Sequence, residues 1–347
     1  MLMKGCPVGR FKRAIIALFA ILSILSVSSC SSESDTAANG SKIRFALDWT
    51  PNTNHTGLYV ALDQGYFKAA GLDVELLPFN QTLPDQLINA GQADFGISFQ
   101  SNFSVAKAAG ANIVSVLAVL QHWSTAIVVK ADAGIASPAD LTGKTYAGFG
   151  EPAENSMLQQ VIAKAGGKPD FESVMLGTSS YEALYNGQAD FTVAFLAWEG
   201  IDAKLRGYDL KHFNYSDVAF PDTYNVIVSG NPDWIKNHPD EAKDFVQALQ
   251  RGYEYAAQHP KEAAQILINQ NPGFFTDEEL VFESQELLSS EYLLDAEGNF
   301  GTQTLQQWQE YGDFLFENGL LVDDAGKTIT EPIDWATYFT TDLVSKP

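Results

Sequence analysis

The sequence predicts an α/β protein of two lobes, each a mostly parallel sheet flanked by helices, facing one another across a cleft. Three observations predict it. Strand-like and helix-like stretches alternate, the pattern that a helix-covered parallel sheet requires. The alternation occurs twice: Ala90-Gly91-Gln92-Ala93-Asp94-Phe95-Gly96-Ile97 and Asn186-Gly187-Gln188-Ala189-Asp190-Phe191-Thr192-Val193 read almost alike, 96 residues apart. Beyond Asp233 the pattern turns mostly helical, so the chain crosses to a second lobe and returns.

In the first copy, strands are predicted over Ile43–Asp48, Val74–Pro78 and Phe95–Ser98, with helices over Gly57–Ala70 and Leu83–Ala90 between them. In the second, strands fall at Lys144–Ala147, Phe171–Leu176 and Phe191–Phe195, with helices at Ala153–Ala165 and Tyr181–Asn186. Gly91 and Gly187 stand where a helix takes its left-handed cap, and Gly71 and Gly167 mark the same helix-to-strand step earlier in each copy. Apolar runs at Ile113–Leu120 and Thr125–Val129 read as further strands, and Asn225–Val228 as the returning one. Pro239 and Pro260 open helices over Ala242–Gln258 and Ala263–Asn269, and Asp277 begins another. Two crossings, near Val129 and near Val228, form a two-strand hinge, giving lobe 1 as 42–128 with 229–347 and lobe 2 as 129–228. Trp308, Tyr311, Trp335 and Tyr338 fall at helical spacings and are read as packing.

The first 29 residues read as a signal peptide: a basic head to Arg13, then the apolar run Ala14–Val27, too short to span a bilayer. Val27-Ser28-Ser29-Cys30 resembles the lipobox of bacterial lipoproteins, which implies that Cys30 is lipidated and becomes the mature N-terminus. Residues 30–41, rich in Ser, Ala and Gly, suit a flexible tether.

Of 347 residues 46% are hydrophobic, enough for substantial cores. Four of the 21 basic residues lie in the first thirteen positions, leaving 17 against 43 acidic ones from Cys30 onward. Phosphate backbones repel such a surface, so nucleic acid is excluded as a partner. Cys6 and Cys30 are the only cysteines and both precede the globular part, which excludes disulfides and thiolate chemistry there. His55, His122, His212, His238 and His259 are scattered, with no spacing that suggests a metal site, and no cofactor is expected.

In sheets of this kind the ligand lies at the carboxyl ends of the strands. After the first strand comes Asp48-Trp49-Thr50-Pro51-Asn52-Thr53-Asn54-His55-Thr56-Gly57, from which Asp48, Trp49, Asn52, Asn54 and His55 can reach the cleft. The N–H groups of the helix that Thr56 and Gly57 begin would face the same place. The same rule picks Gln81, Ser98, Phe99, Trp123 and Tyr224, the Gly-bracketed loop of Gly150 and Glu151, and Trp198 and Glu199 after the last strand of the second copy. The aromatic residues can stack on a flat ring. Each position also has a plainer reading: Trp49 as core, His55 as a capping residue, Glu199 as a surface residue favoured by a helix dipole.

The stretch Asp48-Trp49-x-Pro51-Asn52-x-x-His55, followed by Gly65-Tyr66-Phe67 and Ala70-Gly71-Leu72-Asp73-Val74, resembles the substrate-binding proteins of the thiamine-pyrimidine-synthase-like family, over roughly Lys42 to Val228. The resemblance implies a type II periplasmic-binding-protein fold, and it implies, at Trp198-Glu199-Gly200, that Glu199 meets the base of a pyrimidine. A carboxylate can accept from an exocyclic amine and a protonated ring nitrogen together. The family also contains a pyrimidine-synthesising enzyme, with a cysteine-rich iron motif and a pyridoxal-bearing lysine near the first-loop histidine. This chain lacks that motif and has no lysine between Arg44 and Phe67, so no enzyme activity is expected.

The expected function is a lipid-anchored, monomeric receptor on the outer side of the cytoplasmic membrane, passing a planar amine-bearing heterocycle to an ABC permease and its ATPase. A thiamine pyrimidine precursor is the first ligand to consider and riboflavin the second. Nitrate and alkylsulfonate fit poorly beside Asp48, Glu151 and Glu199 with so few arginines. A membrane-tethered sensor would share every one of these features.

Overall fold

The computed structural model describes residues 41–151 and 153–345; the predicted signal peptide, Cys30 and most of the tether lie outside them. Two five-stranded sheets organise the chain. The first draws on β1 (Ser41–Ala46), β2 (Leu72–Leu77), β3 (Phe95–Ser98) and β4 (Val114–Ala118), with helices α1 (Thr56–Asp63), α2 (Tyr66–Ala69), α3 (Pro84–Asn89) and α4 (Gln100–Ala108) between them. The second is built from β5 (Thr125–Lys130), β6 (Thr145–Gly148), β7 (Glu172–Met175), β8 (Phe191–Phe195) and β9 (Leu210–Phe213), with α5 (Glu154–Lys164), α6 (Ser180–Tyr185) and α7 (Ile201–Leu205). A π-helical turn, Leu196–Gly200, joins β8 to α7. The chain then returns as β10 (Ile227–Gly230) and ends in α8 (Pro232–Asn237), α9 (Pro239–Gln258), α10 (Pro260–Gln270), α11 (Glu278–Glu291) and α12 (Leu305–Glu317).

The strand orders match, β2-β1-β3-β10-β4 and β7-β6-β8-β5-β9, each with one strand running against the rest. Those two, β10 and β5, are the first strands after each crossing. A chain that leaves one sheet at its cleft end reaches the other sheet at its cleft end too, and must run away from the cleft. Their membership moves both crossings. The sequence reading put them near Val129 and Val228, yet Val129 lies inside β5 of the second sheet and Val228 inside β10 of the first. The chain crosses instead between Ala118 and Thr125 and between Phe213 and Ile227. Periodicity marks an apolar strand but not the sheet that takes it.

The repeated segment has a shared mechanical role. Gly91 and Gly187 adopt positive φ (67° and 69°), ending α3 and α6. The next aspartate then binds the neighbouring strand: Asp94 Oδ2 accepts from Arg44 N of β1, and Asp190 Oδ2 from Thr145 N of β6, both at 2.8 Å. The predicted helix Gly57–Ala70 is broken by Gly65 in the left-handed conformation (φ 69°), and Ser41, assigned to the tether, already pairs in β1.

The C-terminal helices close both lobes. Trp308, Tyr311, Trp335 and Tyr338 are buried, as the spacing suggested. On α12, Trp308 meets Phe103 edge-on at 5.6 Å, Tyr311 meets Trp123 at 5.6 Å and Phe314 meets Phe220 at 4.9 Å. One apolar cluster thereby joins α4, both crossing segments and α12.

Candidate functional site

A cavity of about 370 Å³ opens between the sheets, within the range of small-molecule sites. Its wall includes Asp48, Trp49, Asn52, Asn54, Phe99, Trp123, Glu151, Trp198 and Glu199 of the sequence-derived set. The remaining five, His55, Gln81, Ser98, Gly150 and Tyr224, lie off it.

Each of the five has a physical reason. His55 is fully buried behind the loop, its Nε2 2.7 Å from Asp48 Oδ1, with the Asn52 N–H directed at Nδ1 (3.4 Å). With Nδ1 accepting, Nε2–H donates to Asp48 and holds that carboxylate in place. Gln81 sits in a left-handed turn (φ 73°) and is exposed. Ser98 is buried and donates to Asp85 of α3 at 2.5 Å. Gly150 supplies only its N–H, to Glu154 at 2.9 Å. Tyr224 is core: its N–H donates to Gln100 Oε1 (2.8 Å) and its hydroxyl accepts from Thr304 N (2.8 Å). Thr56 and Gly57 are also buried and do not line the cavity.

Sequence reasoning missed Phe79, Ser101, Asn102, Phe149, Tyr181 and Phe195. Asn102 and Ser101 begin α4, a helix not assigned from the pattern, whereas Tyr181 and Phe149 follow β7 and β6 and obey the strand-end rule already in use.

Aromatic residues dominate the wall. Trp49 is 46% exposed, its ring 5.0 Å from Phe79; Phe149 and Tyr181 sit 5.7 Å apart on the other lobe; Phe99 and Phe195 face each other from the ends of β3 and β8 at 6.1 Å. Trp123 is fixed by donating its indole N–H to Pro221 O (2.9 Å). Such faces receive flat rings.

The charged groups on the wall are all carboxylates: Asp48, Glu151, Glu154 and Glu199, with no Lys, Arg or His among the lining residues. Two are committed to structure, Asp48 to His55, and Glu154 to the N–H groups of Phe149 and Gly150 and the Tyr146 hydroxyl. Glu199 sits on the π turn and is met by backbone N–H groups of that turn, its own and that of Phe195 at 3.2 Å. Removal from water raises its carboxyl to about 7, against the pull of its own N–H and that of Phe195, with a smaller push from Asp202. Burial likewise raises Glu151, opposed by Asn102 reaching it from α4. Asn52 spends its amide on its own turn, accepting from Asn54 N (2.9 Å) and donating to Thr50 O (3.0 Å).

Two helix-flanked sheets of this order with a cavity between them define the periplasmic-binding-protein fold, found in solved structures of periplasmic sulfonate- and nitrate-binding proteins. The fold match is close to a ligand-binding component of an ABC-type import system from Staphylococcus aureus, with a TM-score of 0.65 at 16% identity over 87% of this chain and 97% of that one. Within that class the chain belongs to the NMT1/THI5 like family, whose model matches residues 52–263. It is 30% identical to a formylaminopyrimidine-binding protein of Halalkalibacterium halodurans over 83% of this chain and 90% of that one. It is 26% identical to a 4-amino-5-hydroxymethyl-2-methylpyrimidine phosphate synthase of Saccharomyces cerevisiae, over 68% of this chain and 73% of that one.

Proposed function

We propose that the chain is the solute-binding component of an ABC importer, tethered to the membrane through Cys30, and that it captures a planar amine-bearing heterocycle, a thiamine pyrimidine precursor of the hydroxymethylpyrimidine or formylaminopyrimidine type. Glu199 carries the reading: a carboxylate met only by backbone N–H groups of its own turn, on the wall of an aromatic cavity that no basic side chain lines. A ligand with an amine and a ring nitrogen on one edge satisfies it, while Trp49, Phe99 and Phe195 offer ring faces. Nitrate and sulfonate would meet carboxylates and no positive charge on this wall. Riboflavin, the second ligand considered, offers a flat ring but no exocyclic amine for Glu199. The cleft faces the ligand from both lobes, so binding should favour closure, with handover to a permease and its ATPase on the outer side of the cytoplasmic membrane.

The match to synthases raises catalysis as a second reading. The residues do not fit pyridoxal phosphate, because among the described residues no lysine reaches the cavity wall and no cation is there to hold the phosphate. A binding role suits the wall better.

The test is mass spectrometry of whatever small molecule the purified protein releases on denaturation, followed by calorimetric titration with 4-amino-5-hydroxymethyl-2-methylpyrimidine and its deaminated analogue. Glu199→Gln should cost the amine-bearing ligand roughly ten- to a hundredfold and the analogue much less. Equal losses for both would remove Glu199 from recognition and the pyrimidine assignment with it.

A further inference from the structure

Helix α11 belongs by its packing to the first lobe, lying against α9 and α10, yet its other side touches the π turn and α7 of the second. Three contacts fix its place, one within lobe 1 and two across the cleft. Ser284 shares a buried 2.6 Å hydrogen bond with Thr53, in the loop that walls the cavity from lobe 1. One residue earlier, Glu283 Oε2 receives Lys204 Nζ of α7 at 2.7 Å. Trp198, on the cavity wall of lobe 2, packs against the lobe 1 cluster of Leu267, Ile268 and Val281 and lies 6.3 Å from Phe275. One helix thus holds the loop carrying Asp48 on one side and the turn carrying Glu199 on the other.

We propose that the Lys204–Glu283 pair is a clasp that holds the two lobes shut over the cavity, so that breaking it favours the open state. The inference rests on the two-lobed cleft and not on which molecule the cavity takes. Lobe rotation about the crossings must separate Lys204 from Glu283, because they sit on different lobes, whereas the Thr53–Ser284 bond stays within lobe 1. Lys204 and Glu283 are both partly exposed, so the clasp is weak and salt-sensitive, which suits a part that must open at every cycle.

The test needs no ligand and is therefore independent of the pyrimidine reading. In the full chain with Cys6 and Cys30 replaced by serine, spin labels on Lys68→Cys (lobe 1) and Glu172→Cys (lobe 2) report the interlobe distance by pulsed electron resonance. Lys204→Glu should raise the ratio of long to short distances about two- to fivefold, the scale of an exposed ion pair. The exchange Lys204→Glu with Glu283→Lys should restore the original distribution, and raising salt from about 0.05 to 1 M should move the unswapped protein toward the single variant. Should Lys204→Glu fold poorly, the salt titration alone decides. Coincident distributions for the parent and Lys204→Glu, an exchange that fails to restore, or a parent indifferent to salt would each overturn the clasp.

Discussion

Gly57 and Gly252 meet where α1 crosses α9, and neither position has room for a side chain. A Cβ on Gly252 would overlap the carbonyl oxygen of Gly57, and one on Gly57 would overlap the ring of Tyr253. The close crossing brings the Tyr253 hydroxyl to Asn54 O at 2.7 Å, so a helix from the C-terminal segment fixes the loop that supplies Asp48, Trp49 and Asn54 to the cavity.

Gly252→Ala should therefore destabilise the protein by about 2–4 kcal/mol, since the overlap is with backbone that must shift. Denaturant unfolding measures the loss. A folded variant should also bind ligand more weakly, because α1 and the loop move together; unchanged stability would mean that the crossing relaxes at little cost.

The pH dependence of binding should identify the proton at Glu199. Its carboxyl sits at about 7, so with a neutral aminopyrimidine the complex retains one proton between ring nitrogen and carboxyl. Above about pH 7 the free protein has lost that proton and must regain it, so Kd should rise roughly tenfold per pH unit. Glu199→Gln should flatten the profile. Titration calorimetry at several pH values checks this, and affinity that improves with rising pH would mean that an ionised carboxylate accepts from the amine alone.

Asp85 is buried in α3, held up to about 6 by burial, against a hydrogen bond from Ser98, while the Ser229 hydroxyl faces it without closing a full bond. Between about pH 4, where the unfolded chain ionises, and 6 the native state binds more protons, so this residue lowers stability as pH rises through that window and the penalty persists above it. Asp85→Asn should raise stability by about 1–2 kcal/mol near pH 8, with the gain vanishing near pH 4. Thermal melts of both proteins across that range provide the comparison.

The two repeat aspartates should differ in weight. Asp94 binds the Arg44 N–H and receives its guanidinium at 2.7 and 3.1 Å, whereas Asp190 binds the Thr145 N–H and lies 3.8 Å from Lys144. Asp94→Ala should cost about 2–4 kcal/mol and Asp190→Ala about 1 kcal/mol, read from chemical denaturation. Equal losses would assign the whole effect to the shared N–H bond.

The repeat was legible because a helix cap, an anchoring aspartate and a buried strand each need a particular residue type at a fixed local spacing. The strand-end rule likewise brought Phe99, Trp123, Glu151 and Glu199 to one cavity wall. The same rule also picked His55 and Tyr224, which lie off the wall because their partners, Asp48 held from behind the loop and Thr304 at the start of α12, decide which way a polar ring is spent. Asn102 escaped because the amphipathic pattern of α4 is weak, its burial coming from Trp308 and Tyr338 far along the chain.

The sequence by itself determined the alternation, the doubling of the unit, the excess of carboxylates and the absence of cysteine from the globular part, since these follow from residue identity and short-range periodicity. Only the tertiary structure decided that β5 joins the second sheet and β10 the first, that α9 clamps the first loop, and that α11 spans the cleft. Those choices rest on contacts between residues up to 231 positions apart, whose free energy comes from fitting surfaces that local pattern leaves unspecified.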